Sequence, residues 1–228
     1  MVIISKILKK RMLIEAFNSG YICGALLGRG HVTADKTAAK YAMLMESRDK
    51  EFTELFGQRL DAFLETQAKR YERVKGRLNL YAVAFHRKSS IIEFCEKFRF
   101  KQGSFDWTVP QQCYEDKHFR KGFLQGFFDA KARIKVRFRK RQKKKENTFR
   151  FDKVRSIKVS AVHRKGLNEI KTLLDSFGIG STISQSNGNN ILDIEGKQRI
   201  MMFKDKVGFG VQNKKTELDR SLERSSGI

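Results

Sequence analysis

The stretch GYICGALLGRG at residues 20–30 has a counterpart, GFLQGFFDAKA, at residues 122–132. In both, a small residue recurs at every fourth position, and large apolar residues fill most places between. Residues four apart lie on one face of a helix, so each stretch predicts a helix with a smooth stripe. Glycine inside a helix costs about 0.5–1 kcal/mol relative to alanine, and close packing of the two helices would offset that cost. The stripe consists of Gly20, Gly24 and Gly28 in the first stretch and Gly122, Gly126 and Ala130 in the second.

The elements that follow each stretch also repeat. Their patterns predict two strands, a helix, a second hairpin and a closing helix, so each half has the order αββαββα. The predicted fold class is therefore α+β with a pseudo-two-fold repeat. We place the first repeat at residues 1–98, a connector at 99–117 and the second repeat at 118–228. The predicted strands and helices after the stretches are 31–33, 41–46, 49–63, 69–74, 78–85 and 89–98, and then 133–140, 149–162, 165–177, 181–185, 191–195 and 198–207.

The composition indicates a polyanionic partner. The 228 residues include 48 Lys and Arg against 25 Asp and Glu, which gives a net charge of +23. So large a charge destabilises a compact chain by self-repulsion and is typical of proteins that bind nucleic acid. No run is long and apolar enough to span a bilayer. Residues 1–17 predict a basic amphipathic helix without the cleavage site of a secretory signal, so we expect no membrane role.

The three cysteines, Cys23, Cys95 and Cys113, form no CxxC pair, and the four histidines have no ligand-like spacing. These patterns indicate neither a disulfide framework nor a metal site. We therefore expect no metal and no cofactor. We therefore expect the protein in a reducing compartment, either in the cytoplasm, associated with the nucleoid or the ribosome, or in an organelle. We expect a monomer whose two repeats form an internal pseudo-dimer.

These features resemble the LAGLIDADG homing endonuclease family in its single-chain, two-repeat form. The motifs stand here as ICGALLGRG at residues 22–30 and LQGFFDAKA at residues 124–132, and the order of elements matches over nearly the whole chain. The resemblance implies that the two motif helices pack at the centre, on a pseudo-two-fold axis. It implies two four-stranded antiparallel sheets that form a saddle over the DNA major groove. It also implies that the last acidic residue of each motif holds a divalent metal near a scissile phosphate.

Arg29 and Lys131 stand at those acidic positions in this sequence. Their side chains carry donors and no acceptor, so they cannot ligate the Mg²⁺ that metal-assisted hydrolysis requires. Asp129 lies two residues before Lys131, on a different side of the helix, and Asp35 lies in a loop. We therefore expect no catalytic residue. The two cations either clamp a phosphate or result from mutation after the loss of selection for cleavage. The alternative function is an active or nicking Mg²⁺-dependent endonuclease with non-standard metal ligands.

The clearest binding signal is the alternating strand RIKVRFR at residues 133–139. Its cations line one face, and Ile134, Val136 and Phe138 line the other. A face of one sign suits phosphates and base edges, whereas a solvated face normally mixes signs. The predicted contacts are Arg133, Lys135, Arg137 and Arg139 on this strand; Lys140, Arg141, Lys143, Lys144 and Lys145 at the tip; Arg150 and Lys158 on the return; Lys69, Arg70, Arg73, Lys75 and Arg77 on the corresponding hairpin of the first half; Lys88 and Lys197 at the closing helices; and Arg29 and Lys131.

Two kinds of nucleic acid fit this surface. The chain is either a retired homing endonuclease that still binds duplex DNA, or a scaffold turned to structured RNA, as the intron maturases of this family illustrate. An intron or ribosomal RNA would be the target in the second case. The high charge and the Lys-rich tip favour RNA slightly, because folded RNA with densely packed phosphates rewards dispersed cations. No residue of the sequence separates the two.

Overall fold

The computed structural model describes residues 2–35, 37–75, 78–100, 107–143 and 148–223. The first half consists of α1 (Val2–Arg29), β1 (Gly30–Asp35), β2 (Lys40–Ser47), α2 (Lys50–Leu64), β3 (Lys69–Lys75), β4 (Leu78–Phe85) and α3 (Lys88–Phe98). The second half consists of α4 (Gln112–Glu115), α5 (Lys117–Lys131), β5 (Arg133–Lys143), β6 (Thr148–Ala161), α6 (Arg164–Asp175), β7 (Thr182–Ser186), β8 (Asn189–Glu195), α7 (Lys197–Lys206) and α8 (Gln212–Leu222).

The predicted elements are present, with three additions. The basic helix and the first motif helix are one continuous helix, α1. The short helix α4 lies within the predicted connector, and α8 follows the last helix predicted for the second repeat. Helix α8 was missed because its only buried residues are Leu218 and Ser221, too few to give a helical apolar pattern. No helix of the described residues is long and apolar enough to cross a membrane.

Each half contains one four-stranded antiparallel sheet. The strand orders are β1-β2-β4-β3 and β5-β6-β8-β7, so the two halves have the same topology. Helices cover one face of each sheet, where Met43 and Val83 of the first sheet and Ile157 and Leu192 of the second are buried. The opposite faces, which we call the outer faces, carry no helix layer from α2 or α6.

Local residues explain where the elements begin and turn. The Asp49 carboxylate accepts the amide hydrogen of Phe52 at 3.0 Å and caps α2, as an N-cap residue does. Asp116 caps α5 in the same way. In the β7–β8 hairpin, Asn187 and Gly188 both have positive φ, at 49° and 74°, as a two-residue turn that matches the strand twist requires.

The centre of the molecule is the contact between α1 and α5, and the glycine stripe forms it. A Cβ added at Gly24 would lie 2.9 Å from the Phe127 nitrogen and would overlap the Phe123 carbonyl oxygen. A Cβ at Gly126 would overlap the backbone of Tyr21 and Ala25 in the same manner. The other small residues, Gly20, Gly28, Gly122 and Ala130, also lie at this contact. Backbone therefore packs directly on backbone, as the spacing predicted.

Candidate nucleic-acid interface

Helices α1 and α5 end side by side, at Arg29 and Lys131. Both side chains line one cleft of about 350 Å³ that opens toward the outer face of the second sheet. We call it the central cleft; it is lined by Gly28, Arg29, Lys131, Arg133, Lys135, Lys158, Ser160 and Ile191. A second cleft of about 490 Å³ shares Arg29 and Lys131 and adds His31, Trp107 and Asn189. The close packing of the motif helices thus brings two cations together at the pseudo-two-fold axis.

The electrostatics of the central cleft are unfavourable in the free protein. Burial lowers the pKa of Lys131, and the positive charge of Arg29 lowers it further. Within the described part of the chain, neither cation is paired with a carboxylate. An anion between them would relieve the repulsion, because like charges at short range destabilise each other.

The central cleft does not fit a divalent metal ion. Mg²⁺ and Ca²⁺ are held by oxygen ligands, chiefly carboxylates, and the residues that line the cleft include none. The described residues also contain no group of three His, Cys, Asp or Glu side chains that could hold a metal. The ammonium and guanidinium groups present here suit an anion.

The two nearby acids point elsewhere. Asp129 is buried and accepts hydrogen bonds from the Tyr21 hydroxyl at 2.9 Å and from the Gly210 amide at 2.9 Å. Burial is the main cause that raises its pKa to about 6, against the opposing effect of these hydrogen bonds. Asp35 accepts the amides of Thr37 and Ala38 in the β1–β2 turn. Asp35 thus lies at the far end of β1 from Arg29.

The outer face of the second sheet carries the predicted row of cations. Arg133, Lys135, Arg137 and Arg139 alternate with residues of the opposite face, and Lys158 pairs with Arg133 across the sheet. The expectation that this face has one sign is wrong. Asp193 contacts Lys158 at 2.5 Å and Glu195 contacts Arg137 at 3.1 Å. The sheet register brings these acids from β8, which the strand pattern alone could not show.

Two predicted contacts do not lie on the outer faces. Lys140 lies on the opposite face from Arg139, with its ammonium 3.6 Å from the centre of the Phe149 ring. Arg70 faces the helix layer, where it pairs with Asp61 at 2.7 Å and donates to the Ala68 carbonyl. Alternate residues of a strand point to opposite faces, so a basic run cannot present all of its cations on one face.

The first sheet is less basic than the second. Lys69 and Arg73 are exposed on its outer face, and Arg73 lies 3.9 Å from Glu46. Register places His31 and Thr33 of β1 on the same face, where β5 has Arg133 and Lys135. The repeat is therefore symmetric in backbone and asymmetric in charge.

The remaining predicted contacts are scattered or lie outside the described residues. Lys88 and Lys197 begin α3 and α7, are exposed, and do not line the central cleft. Lys88 lies over Tyr41, at the end of β2 remote from Arg29. Three residues fall outside the description altogether, Arg77, Lys144 and Lys145, and the side chains of Lys75, Arg141, Lys143 and Arg150 are not described.

One central cation was missed from the sequence. The Lys214 ammonium donates to the carbonyl oxygens of Asp129 at 2.6 Å, Ala132 at 2.9 Å and Phe128 at 3.2 Å. It thereby caps the C-terminus of α5, where a cation is favourable. Burial lowers the pKa of Lys214. Its partners are backbone groups more than eighty positions away, so no local pattern marks it.

Helix α8 also joins the two halves. The amides of Gln212 and Asn213 at its N-terminus donate to the carboxylate of Glu51, which belongs to the first turn of α2. Together with Lys214 and Gly210, these bonds fix α8 against both motif-bearing halves. The C-terminal helix therefore supports the position of the central cleft.

Comparisons with known proteins agree with this geometry. The family model of the LAGLIDADG-like domain matches residues 118–208, and that of the WhiA LAGLIDADG-like domain matches residues 18–112. A 103-residue segment is 27% identical to the probable translation initiation factor IF-2 of Thermococcus kodakarensis. That match covers 45% of this chain and only 8% of the length of that protein.

Solved structures show the same fold. The homing endonuclease I-DmoI in complex with DNA and Ca superposes with a TM-score of 0.60 at 14% identity, covering 90% of this chain and 98% of that chain. Full-length DUF199/WhiA from Thermatoga maritima gives a TM-score of 0.54 at 14% identity, covering 94% of this chain and 63% of that chain. These matches confirm the predicted fold class. With one family model on each repeat and the same pair of motif helices at the centre, the chain belongs to the LAGLIDADG family in its two-repeat form.

Proposed function

We propose that this chain binds duplex DNA across the outer faces of its two sheets, holds a backbone phosphate between Arg29 and Lys131, and does not cleave it. The observation that carries the proposal is the central cleft itself. Two cations without carboxylate partners among the described residues share it with Arg133 and Lys135. An anion is the ligand that this set of side chains fits.

The fold relative supports DNA as the anion. I-DmoI, which has this fold, forms a complex with DNA. The major groove of duplex DNA admits a two-stranded ribbon, and β5–β6 is such a ribbon with Arg137 and Arg139 on its outer face. In this complex, the second sheet would supply most of the positive charge that contacts DNA, and the first sheet would supply a more neutral surface. Parallel binding to pools of duplex DNA and structured RNA distinguishes the two ligands.

The absence of cleavage follows from the donor set. Hydrolysis of a phosphodiester by a metal ion requires ligands that hold the ion beside the phosphate. Arg29 and Lys131 occupy the ends of the motif helices, and Asp129 is held in the core by Tyr21 and Gly210. The side chains that line the central cleft can neutralise a phosphate and orient it, but they include no carboxylate to hold a metal ion.

Binding is tested with a pool of random DNA duplexes and, in parallel, a pool of structured RNA. The retained sequences are recovered, and affinity for one of them is measured by fluorescence anisotropy over a range of salt. We expect Arg29→Gln and Lys131→Gln each to reduce the magnitude of the salt slope, but by less than about 0.9, because that value corresponds to the one phosphate that the two cations share. Lys165→Gln is the matched control, because Lys165 is exposed on the helix layer. Equal salt slopes for the wild-type protein and the three variants would refute the contact of Arg29 and Lys131 with a phosphate. If only RNA is retained, the ligand is structured RNA and the proposal of duplex DNA is refuted.

Cleavage is tested on the same retained duplex with Mg²⁺ and with Mn²⁺. We expect intact strands on a denaturing gel. Metal-dependent cutting of either strand at one position would contradict the proposal and favour the active or nicking endonuclease.

A further inference from the structure

The β5–β6 hairpin projects beyond its sheet as a free ribbon. Pairing of β6 with β8 ends at Ser156 opposite Glu195, whereas pairing of β5 with β6 continues from Val136 opposite Arg155 to Lys143 opposite Thr148. At about 3.3 Å per residue, the free part extends roughly 26 Å. At the base of this part, Lys153 and Arg155 donate to carbonyl oxygens of Ser221 and Glu223 at the end of α8. Beyond these contacts, no helix of the described residues covers either face.

The two faces of the ribbon differ in chemistry. The outer face has Arg137, which pairs with Glu195, and Arg139, which lies opposite Asp152. The opposite face has Val136, Phe138 and Phe149, which are 43%, 63% and 55% exposed; we call it the aromatic face. Large rings at such exposure are unfavourable in water, since each fully buried phenylalanine is stabilised by about 1.5–3 kcal/mol. Phe138 and Phe149 are separated along this face by the pair of Lys140 and Phe151. Several exposed apolar side chains on one face indicate a binding surface more often than a single one does.

The charge around the aromatic face indicates what it binds. The Lys140 ammonium lies 3.6 Å above the Phe149 ring. The Lys153 ammonium is on the same face, near its base, and donates to the Glu223 carbonyl oxygen at 3.2 Å. A surface that alternates exposed rings with cations fits a strand whose bases stack on rings and whose phosphates contact cations. Paired bases cannot reach it, because their faces are already stacked in the duplex.

We infer that the aromatic face binds unpaired nucleotides that continue from the duplex held on the other side of the ribbon. This inference rests on the proposed function, because the outer face of the ribbon would hold the duplex. The ribbon would then separate a duplex from a single strand at a junction, with Phe138 and Phe149 as the two stacking platforms. The outer-face cations and the aromatic face thus contribute independently to affinity.

The test measures anisotropy of three labelled probes with the full-length protein. They are a blunt duplex, the same duplex with a thymidine overhang of about 12 nucleotides, within the range that one such site covers, and the free thymidine strand. The variants are Phe138→Ala and Phe149→Ala, singly and together. Val74→Ala is the matched control, because Val74 is a 74% exposed apolar residue on the other projecting hairpin.

We expect the overhang to tighten binding of the wild-type protein by at least about tenfold, as one stacked base would provide. The double variant should lose that gain and bind the free strand more weakly, but it should bind the blunt duplex as tightly as the wild-type protein does. The Val74→Ala protein should bind all three probes like the wild-type protein. Equal affinity for blunt and overhanging duplexes would overturn the inference. Weak binding of the blunt duplex with tight, Phe-dependent binding of the free strand would instead overturn the proposed function alone.

The same variants also test whether a second copy of this chain covers the aromatic face. If the wild-type protein self-associates in sedimentation and the double variant is monomeric, the aromatic face is a contact between copies of this chain and the inference fails. The variants are expected to fold, because both rings lie on a free ribbon outside the core, and thermal unfolding verifies this.

Discussion

The packing of α1 on α5 predicts a large effect of Gly24→Ala. Alanine is favoured in a helix by about 1 kcal/mol over glycine, so in an isolated helix this substitution would stabilise. Here the added Cβ would lie 2.8 Å from the Phe123 carbonyl carbon and 2.9 Å from the Phe127 nitrogen. Both neighbours are backbone, which no rotamer change can move, so the two helices must separate.

Overpacking of a core costs about 1–3 kcal/mol, and occasionally more. Contact with backbone on a second helix puts Gly24→Ala at or above the upper end of that range. After the gain in helix propensity, we expect a net loss of at least about 2 kcal/mol in the free energy of unfolding. For a chain of this size, each kcal/mol lowers Tm by about 2–4 °C, which predicts a decrease of about 4–8 °C.

The assay is thermal unfolding followed by circular dichroism, with Gly57→Ala as the control. Gly57 is also inside a helix, α2, but a Cβ there would meet the guanidinium of Arg70, 2.7 Å away. The Arg70 side chain can shift, which would loosen its pair with Asp61, so we expect a smaller loss than for Gly24→Ala, about 1 kcal/mol. A Tm for Gly24→Ala equal to or above that of the wild-type protein would refute the close packing of the motif helices.

Two further predictions concern the buried polar groups around α5. The pKa of Asp129 is raised from about 3.8 to about 6, so its stabilising contribution is complete well below the lower value and is lost as the pH rises through the higher one. Between about pH 3 and about pH 7, the wild-type protein should lose about 3 kcal/mol of unfolding free energy relative to Asp129→Asn in urea unfolding. Parallel pH profiles for the two proteins would contradict this. Lys214→Met leaves three carbonyl oxygens of the α5 C-terminus without their ammonium partner and should destabilise by about 1–3 kcal/mol, whereas the exposed Lys215→Met should have little effect. Equal urea midpoints for the two lysine variants would show that the cap contributes nothing.

Much of the candidate site could be predicted from short-range patterns. The four-residue spacing of Gly20, Gly24 and Gly28 predicted the helix contact, because backbone approach depends only on the absence of side chains along one stripe. Period two placed Arg133 and Lys135 on one face of a strand. The same rule puts Lys140 on the aromatic face with Phe138.

Other features depended on contacts between distant segments. The partner of Lys158 is Asp193, which β8 brings beside it only when the second sheet has its register. Arg70 is held by Asp61 across the sheet–helix boundary. Neither pairing changes the local pattern of the strands, so an unpaired and a paired cation look alike in the sequence.

The sequence by itself determined the repeat, the order of its elements, the stripe that joins the motif helices and the loss of both acidic motif positions. These properties follow from spacing along one helix or strand, and spacing is local. Only the tertiary structure decided that Arg29 and Lys131 share one cleft, that Asp129 is buried, and that Lys214 caps α5 from a helix that the sequence pattern did not predict. Those features arise from contacts between elements that are distant in sequence, and the stability of such contacts depends on the packing of the whole chain.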